Sequence, residues 1–170
     1  MSMFSGRGDE GFTDTLGGLR VAKNHPLIEL IGELDELSAW IGLALSEEQE
    51  PAISEVLSSI QDELASMMSV LSSYKPGKLI SKTTPFPNSK KIENWINAYE
   101  RDIQVPASFT RSGSTRLGAL YNLLRTITRR VERKAITFLP ADFSLSDEML
   151  SYLNRLSTLF FILWLLVDQR

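Results

Sequence analysis

Two arginines four residues apart, followed three residues later by a glutamate, form the most chemically suggestive pattern in this sequence. The stretch RTITRRVERK sets Arg125, Arg129 and Glu132 on one helical face, beside an apolar stripe of Leu124, Ile127 and Val131. A guanidinium is always charged and offers a rigid fork of N–H donors, which suits phosphate or carboxylate. The same spacing also fits a solvated basic face with Glu132 as an intrahelical partner, and Arg130 and Arg133 form a second row. The second candidate is the glycine-rich stretch FSGRGDEGFTDTLGG, Phe4 to Gly18, with Gly8-Asp9-Glu10-Gly11 at its centre. Glycines let successive backbone N–H groups turn toward an anion. Ser5, Thr13, Thr15 and Lys23 would add hydroxyls and an ammonium, enough to cradle a polyphosphate. The stretch lacks the GKS or GKT ending of a P-loop and the glycine spacing of a dinucleotide fold. A flexible N-terminal tail is the competing reading.

Two further polar residues fall where a helical bundle wants apolar ones. Asp35 lies four residues after Ile31 and three before Ser38, along the expected inner face of the first helix. A carboxylate withdrawn from water needs a cation, so Asp35 either meets one or sits at the wet edge of the stripe. Asn154 shares helical spacing with Leu150, Ser157 and Phe161, and a buried amide would need partners. The single histidine, His25, stands beside Pro26 in a turn and is a poor candidate for catalysis.

Five helices must position these groups. Pro26 opens the first, with Asn24 or His25 as cap and Ile28, Ile31, Leu34, Ser38, Ile41 and Leu45 as its expected face, ending near Ser46. Pro51 opens the second, carrying Ile53, Val56, Leu57, Ile60, Leu64, Met67, Met68 and Leu71. Residues 72–89, with Lys75, Pro76, Gly77, Lys78, Lys82, Pro85 and Pro87, read as a mobile loop. A third helix spans about 89–102, a fourth 113–138 and a fifth 146–167, the last with Asp147 and Glu148 in its first turn. No strand alternation is apparent. The expected fold is all-α: one antiparallel five-helix bundle over residues 1–170, three of its helices long, with 1–25 as a glycine-rich arm. Ser46 to Glu50 is an acidic run that reads as a solvated turn.

Composition narrows the function. Of the 170 residues 43% are hydrophobic and 23% charged, so the chain can bury a core. A net charge of −3 gives no basic surface for nucleic acid or an acidic membrane. With no cysteine there is no disulfide, thiolate nucleophile or thiolate metal site. The apolar run Leu159 to Val167 is half the length of a membrane span, and Met1 to Phe4 does not begin a signal peptide. A cytoplasmic protein is expected.

The order of these features resembles the PduO-type ATP:cob(I)alamin adenosyltransferases. GDEGFTDTLGGLRVAKNHPLIELIGELDELSAWIGLA, from Gly8, is similar to that family's GDxGxT loop, GGxRVxK segment and DEL-bearing helix. RTITRRVERK is similar to its arginine signature, and YLNRLS at 152–157 to its C-terminal motif. The resemblance spans about residues 4–164. It implies a homotrimeric helical bundle with active sites between subunits. It also implies transfer of the 5′-deoxyadenosyl group of ATP to the cobalt of a reduced corrinoid, giving adenosylcobalamin and triphosphate.

Carried over by residue, the resemblance gives Ser5, Gly8, Asp9, Gly11, Thr13 and Lys23 to the triphosphate of ATP, together with Mg²⁺ and with no side-chain metal ligand. It places Arg129 on the phosphates across the interface and Glu132 and Asn154 in the nucleotide pocket. It pairs Asp35 with Arg125 of a neighbouring subunit and sets Phe109 against the lower face of cobalamin. Implied partners are a cobalt reductase and an adenosylcobalamin-dependent enzyme. Ser5, Arg7 and Phe12 stand where the family has threonines, Thr158 where it has aspartate, and Thr110-Arg111-Ser112-Gly113-Ser114 where an apolar pair and a Pro-Gly-Gly turn are usual. Two other readings fit the same residues: a non-catalytic ATP-binding trimer that carries corrinoid or regulates, and a structural bundle without ligand.

Overall fold

A computed structural model describes residues 6–77, 86–139, 143 and 145–170. Five helices form its body: α1 (Pro26–Glu47), α2 (Pro51–Ser73), α3 (Ser89–Tyr99), α4 (Arg116–Phe138) and α5 (Ser146–Asp168). Four of them are long, not three, because α1, α2, α4 and α5 each run 22 or 23 residues. α1 packs on α2 and α4, α4 on α5, and α5 on α3.

Capping chemistry sets the helix starts. Pro26 occupies the first turn of α1, and His25 Nδ1 accepts from the Leu27 N–H at 3.1 Å, so the lone histidine is a cap. Asn88 caps α3 through the Lys90 N–H at 3.1 Å. Thr115 caps α4 through the Gly118 N–H at 2.9 Å, which puts the start of α4 at Arg116 rather than Gly113. α2 continues to Ser73, past the expected loop start, and residues 78–85 of that loop lie outside the described residues.

The inner face of α1 differs from the expected one. Leu27, Leu30, Leu34, Leu37, Ile41 and Ala44 are buried, whereas Ile28, Ile31, Ser38 and Leu45 flank them half-buried. Both series run at three- and four-residue steps, and an apolar band this wide leaves the centre of the face to the partner helices. Asp35 therefore lies off the buried stripe and is exposed.

Ion pairs line the antiparallel α1–α4 seam. Arg130 Nε meets Glu33 at 2.6 Å and its Nη2 meets Glu36 at 2.5 Å, and Lys134 Nζ meets Glu29 at 2.6 Å. Within the acidic run, Glu48 is more than a solvated turn residue. One oxygen accepts from the N–H groups of Gln49 and Glu50 at 2.9 and 2.8 Å, and the other accepts from the Tyr121 hydroxyl of α4. Burial first, then that carboxylate, push the Tyr121 pKa far above its ordinary value.

α5 is long and apolar enough to cross a membrane by length and composition, yet 61% of its most apolar window is buried inside the bundle, as in a core helix. Its Tyr152 hydroxyl donates to Glu63 of α2 at 2.6 Å, and Glu63 also meets Lys91 of α3 at 3.0 Å, tying three helices together.

The glycine stretch holds a structure the helical pattern concealed. β1 (Phe12–Asp14) pairs antiparallel with β2 (Arg20–Ala22) in register Phe12↔Ala22, Thr13↔Val21 and Asp14↔Arg20. Strands of three residues are too short to show alternation. The hairpin is docked on the end of α2: the Gly17 N–H donates to the Ser72 carbonyl at 2.8 Å and the Leu16 N–H to the Ser72 hydroxyl at 3.0 Å. Gly17 eases that approach, since a Cβ there would lie a tight 3.0 Å from the carbonyl oxygens of both Ser73 and Tyr74.

Candidate active site

α4 and α5 run antiparallel, and their outer faces meet in a groove that collects the expected site residues of the fourth and fifth helices. On α4, Asn122, Arg125, Arg129 and Glu132 follow one another at steps of three and four residues, a row about 15 Å long. On α5 the facing row is Asn154, Phe161 and Trp164. At one end, Asn154 Nδ2 donates to Glu132 Oε1 at 3.3 Å. At the other, Asn122, Arg125, Phe161 and Trp164 line a cavity of about 620 Å³ together with Phe109, Thr110, Arg111 and Ser112. The structure thus sets Asn154 beside Glu132, and Arg125 and Phe109 around one cavity.

The electrostatics of this groove favour an anion. Arg125 is half-buried, and its Nε donates to the neutral Asn122 Oδ1 at 2.9 Å. Desolvation, then the positive charge of Arg129, pull its pKa down. The Arg129 side chain is exposed and makes no hydrogen bond or ion pair among the described residues. Its neighbour Arg130 is consumed by Glu33 and Glu36, so two consecutive arginines divide between solvent-facing and structural duty. Glu132 pairs with Asn154 and not with an intrahelical arginine.

Phe109 is 93% exposed and lines the cavity. Asn122, Phe161 and Trp164 were not singled out as site residues from sequence. The available signal was their spacing: Asn122 precedes Arg125 by three, while Phe161 and Trp164 continue the row of Asn154 by seven and ten.

The glycine arm forms a second cluster. The Asp9 N–H donates to the Gly6 carbonyl at 3.1 Å, the Gly11 N–H to Gly8 at 3.2 Å, and the Lys23 N–H to Gly11 at 2.8 Å. Gly11 sits at φ +81°, a conformation that costs other residues strain. The Lys23 ammonium lies over Gly8, 3.1 Å from where a Cβ would stand. Thr13 is on β1, and Asp14 pairs with Arg7 at 2.9 Å and Arg20 at 3.4 Å. Gly8, Asp9, Gly11, Thr13 and Lys23 are therefore gathered in one folded turn rather than a loose tail; Ser5 lies outside the described residues. No hydrogen bond or ion pair among the described residues joins this arm to Arg129, Glu132 or Asn154, nor Asp35 to Arg125.

Comparison with known proteins gives this arrangement a context. A family profile described as cobalamin adenosyltransferase matches residues 3–167. A corrinoid adenosyltransferase of Bacillus subtilis is 32% identical over 177 residues, covering 100% of this chain and 88% of that protein. A cobalamin adenosyltransferase of Cupriavidus metallidurans is 36% identical, covering 92% and 82%. Among solved structures, a single-substitution variant of PduO-type ATP:corrinoid adenosyltransferase from Lactobacillus reuteri, complexed with cobalamin and ATP, superposes with a TM-score of 0.87 at 26% identity over 99% of this chain and 94% of that one.

Proposed function

The chain belongs to the cobalamin adenosyltransferase family, and from that premise we propose that it transfers the 5′-deoxyadenosyl group of ATP to the cobalt of a reduced corrinoid, releasing adenosylcobalamin and triphosphate. The observation that carries the reading is the α4–α5 groove: a polar end at Arg129, Glu132 and Asn154 lies on the same helix pair as an aromatic cavity at Phe109, Phe161 and Trp164. One end suits a nucleotide and the other a flat macrocycle.

Cob(I)alamin is itself the nucleophile in this transfer. Its cobalt electron pair forms the bond to C5′, the C5′–O bond breaks, and those electrons leave on triphosphate. No serine, cysteine or histidine nucleophile is needed, in keeping with a chain that has no cysteine and uses His25 as a cap. The residues are left to orient C5′ toward cobalt and to stabilise charge on the leaving group. Arg129 and Lys23 supply cationic donors, and the turn at Gly8, Asp9, Gly11 and Thr13, with Ser5 before it, wraps the phosphates. Glu132 and Asn154 hold the nucleoside side. Phe109 presents an apolar wall to the lower face of the corrin, which disfavours an axial ligand and eases access to Co(I).

In this reading Mg²⁺ accompanies the triphosphate and is held by phosphate oxygens and water. It would supply charge neutralisation on the leaving group.

Among the described residues no hydrogen bond or ion pair joins the glycine arm to the groove, and we place them together between subunits of a homotrimer. In that assembly Asp35, exposed on α1, pairs with Arg125 of the neighbour, which has no ion pair among the described residues of its own chain. The whole chain is then one bundle domain with residues 1–25 as its ATP-binding arm, working in the cytoplasm between a cobalt reductase and an adenosylcobalamin-dependent enzyme. Anaerobic mixing of the protein, MgATP and chemically reduced cobalamin tests the reading. ATP-dependent loss of the Co(I) absorbance with adenosylcobalamin as product supports it. MgATP binding without turnover would leave a nucleotide-binding carrier or regulator, with Thr110 to Ser114 as the reason.

A further inference from the structure

The connector that carries Phe109 is held at both ends by the last turn of α5. At its start, the Gln104 N–H donates to Gln169 Oε1 at 2.9 Å while Gln169 Nε2 donates to the Gln104 carbonyl at 2.8 Å. One side-chain amide thus satisfies both backbone groups of one residue, as a paired strand would. At its end, the Thr115 hydroxyl donates to Asp168 Oδ1 at 2.7 Å and accepts from the Gly118 N–H at 2.9 Å. The other Asp168 oxygen accepts from the Trp164 indole N–H at 2.7 Å. Gly118 makes room for this carboxylate, since a Cβ there would fall inside contact distance of Asp168 Oδ1.

Between these two anchors the chain has neither helix nor strand, and Phe109, Thr110, Arg111 and Ser112 form one wall of the cavity. Trp164, which lines the same cavity, is the residue that Asp168 holds. A free segment of this length samples many positions, and fixing both ends removes most of them. We propose that Asp168 and Gln169 are positioning residues for the corrinoid: they clamp the 104–115 connector so that Phe109 stands at the cavity that Trp164 also lines. The proposal rests on the adenosyltransferase reading and adds to it the device that shapes the corrinoid wall.

The test compares Gln169→Ala and Asp168→Asn with the unmodified protein. Gln169 is exposed, so its truncation leaves the bundle core intact. The readouts are KM for corrinoid, KM for ATP, the thermal midpoint, and cob(II)alamin binding in the presence of MgATP followed by its visible spectrum. The expected result for Gln169→Ala is a corrinoid KM raised about tenfold, from two lost hydrogen bonds, with parallel weakening of cob(II)alamin binding and an unchanged ATP KM. Asp168→Asn keeps an oxygen for the Trp164 indole N–H but turns its N–H donors toward the Thr115 hydroxyl, replacing a charge-assisted bond by a neutral one, and should move the same two quantities by less. Unchanged corrinoid KM in both variants would overturn the clamp, as would an equal rise in both KM values with a lowered midpoint. An unmodified protein that binds MgATP but never adenosylates would instead overturn the functional reading beneath it.

Discussion

Asn154 on α5 and Glu132 on α4 meet across the helix pair at 3.3 Å, Nδ2 donating to Oε1. They lie 22 residues apart in sequence, on separate motifs, and their contact is at the surface rather than in the core. A surface amide–carboxylate pair adds little to stability, so its value is in what the two groups offer together: an oriented acceptor and a carbonyl at the head of an arginine-bearing groove.

Glu132→Gln should accordingly separate binding from folding. The expected outcome is an ATP KM raised roughly ten- to a hundredfold, the range for hydrogen bonds to charged groups. The unfolding free energy should stay within about 0.5 kcal/mol, as for an ordinary surface change. Steady-state kinetics beside urea denaturation checks both; an ATP KM that does not move removes Glu132 from the nucleotide site.

Arg129 and Arg130 are adjacent yet should behave oppositely. Arg129→Ala removes a side chain with no partner among the described residues and should lower kcat by about a hundredfold or more if it stabilises the leaving group. Arg130→Ala breaks the contacts to Glu33 and Glu36, both partly exposed, and should cost about 1 kcal/mol of stability or less while turnover persists. Raised salt should shrink the Arg130 effect. Swapped behaviour in the kinetic and unfolding assays would overturn the division of roles.

Asp35→Asn should weaken assembly. Asp35 is exposed and Arg125 half-buried beside Arg129, and neither has an ion pair among the described residues. Removing the carboxylate would leave the partner guanidinium uncompensated at the subunit contact. Sedimentation velocity should show trimer dissociating at higher protein concentration, and turnover should fall with it. A trimer indifferent to the change would refute the cross-subunit pair.

Gly17→Ala should act on the arm alone. The added methyl would stand 3.0 Å from two carbonyl oxygens at the end of α2, so the hairpin has to shift by a few tenths of an ångström while the helices remain. Calorimetric titration should show weakened MgATP binding with unchanged helical circular dichroism. Full affinity would show that the docked position of the arm does not matter to the nucleotide.

Sequence by itself determined the helices and the rows they carry. Proline and capping residues mark the starts at Pro26, Pro51 and Ser89, and three- and four-residue spacing puts Arg125, Arg129 and Glu132 on one face whatever packs beside them, because helical periodicity is a local property. Tertiary structure decided which face of each helix turns inward. Two apolar series compete on α1, and only packing against α2 and α4 buries Leu27, Leu30 and Leu37 and leaves Asp35 in water. It decided where the glycine hairpin docks, since Gly17 bonds to the end of α2, more than fifty residues away. It also set Asn154 beside Glu132 and gave Asp168 and Gln169 the connector to hold. Those contacts depend on how α5 lies against α4, and no local pattern in either helix encodes that.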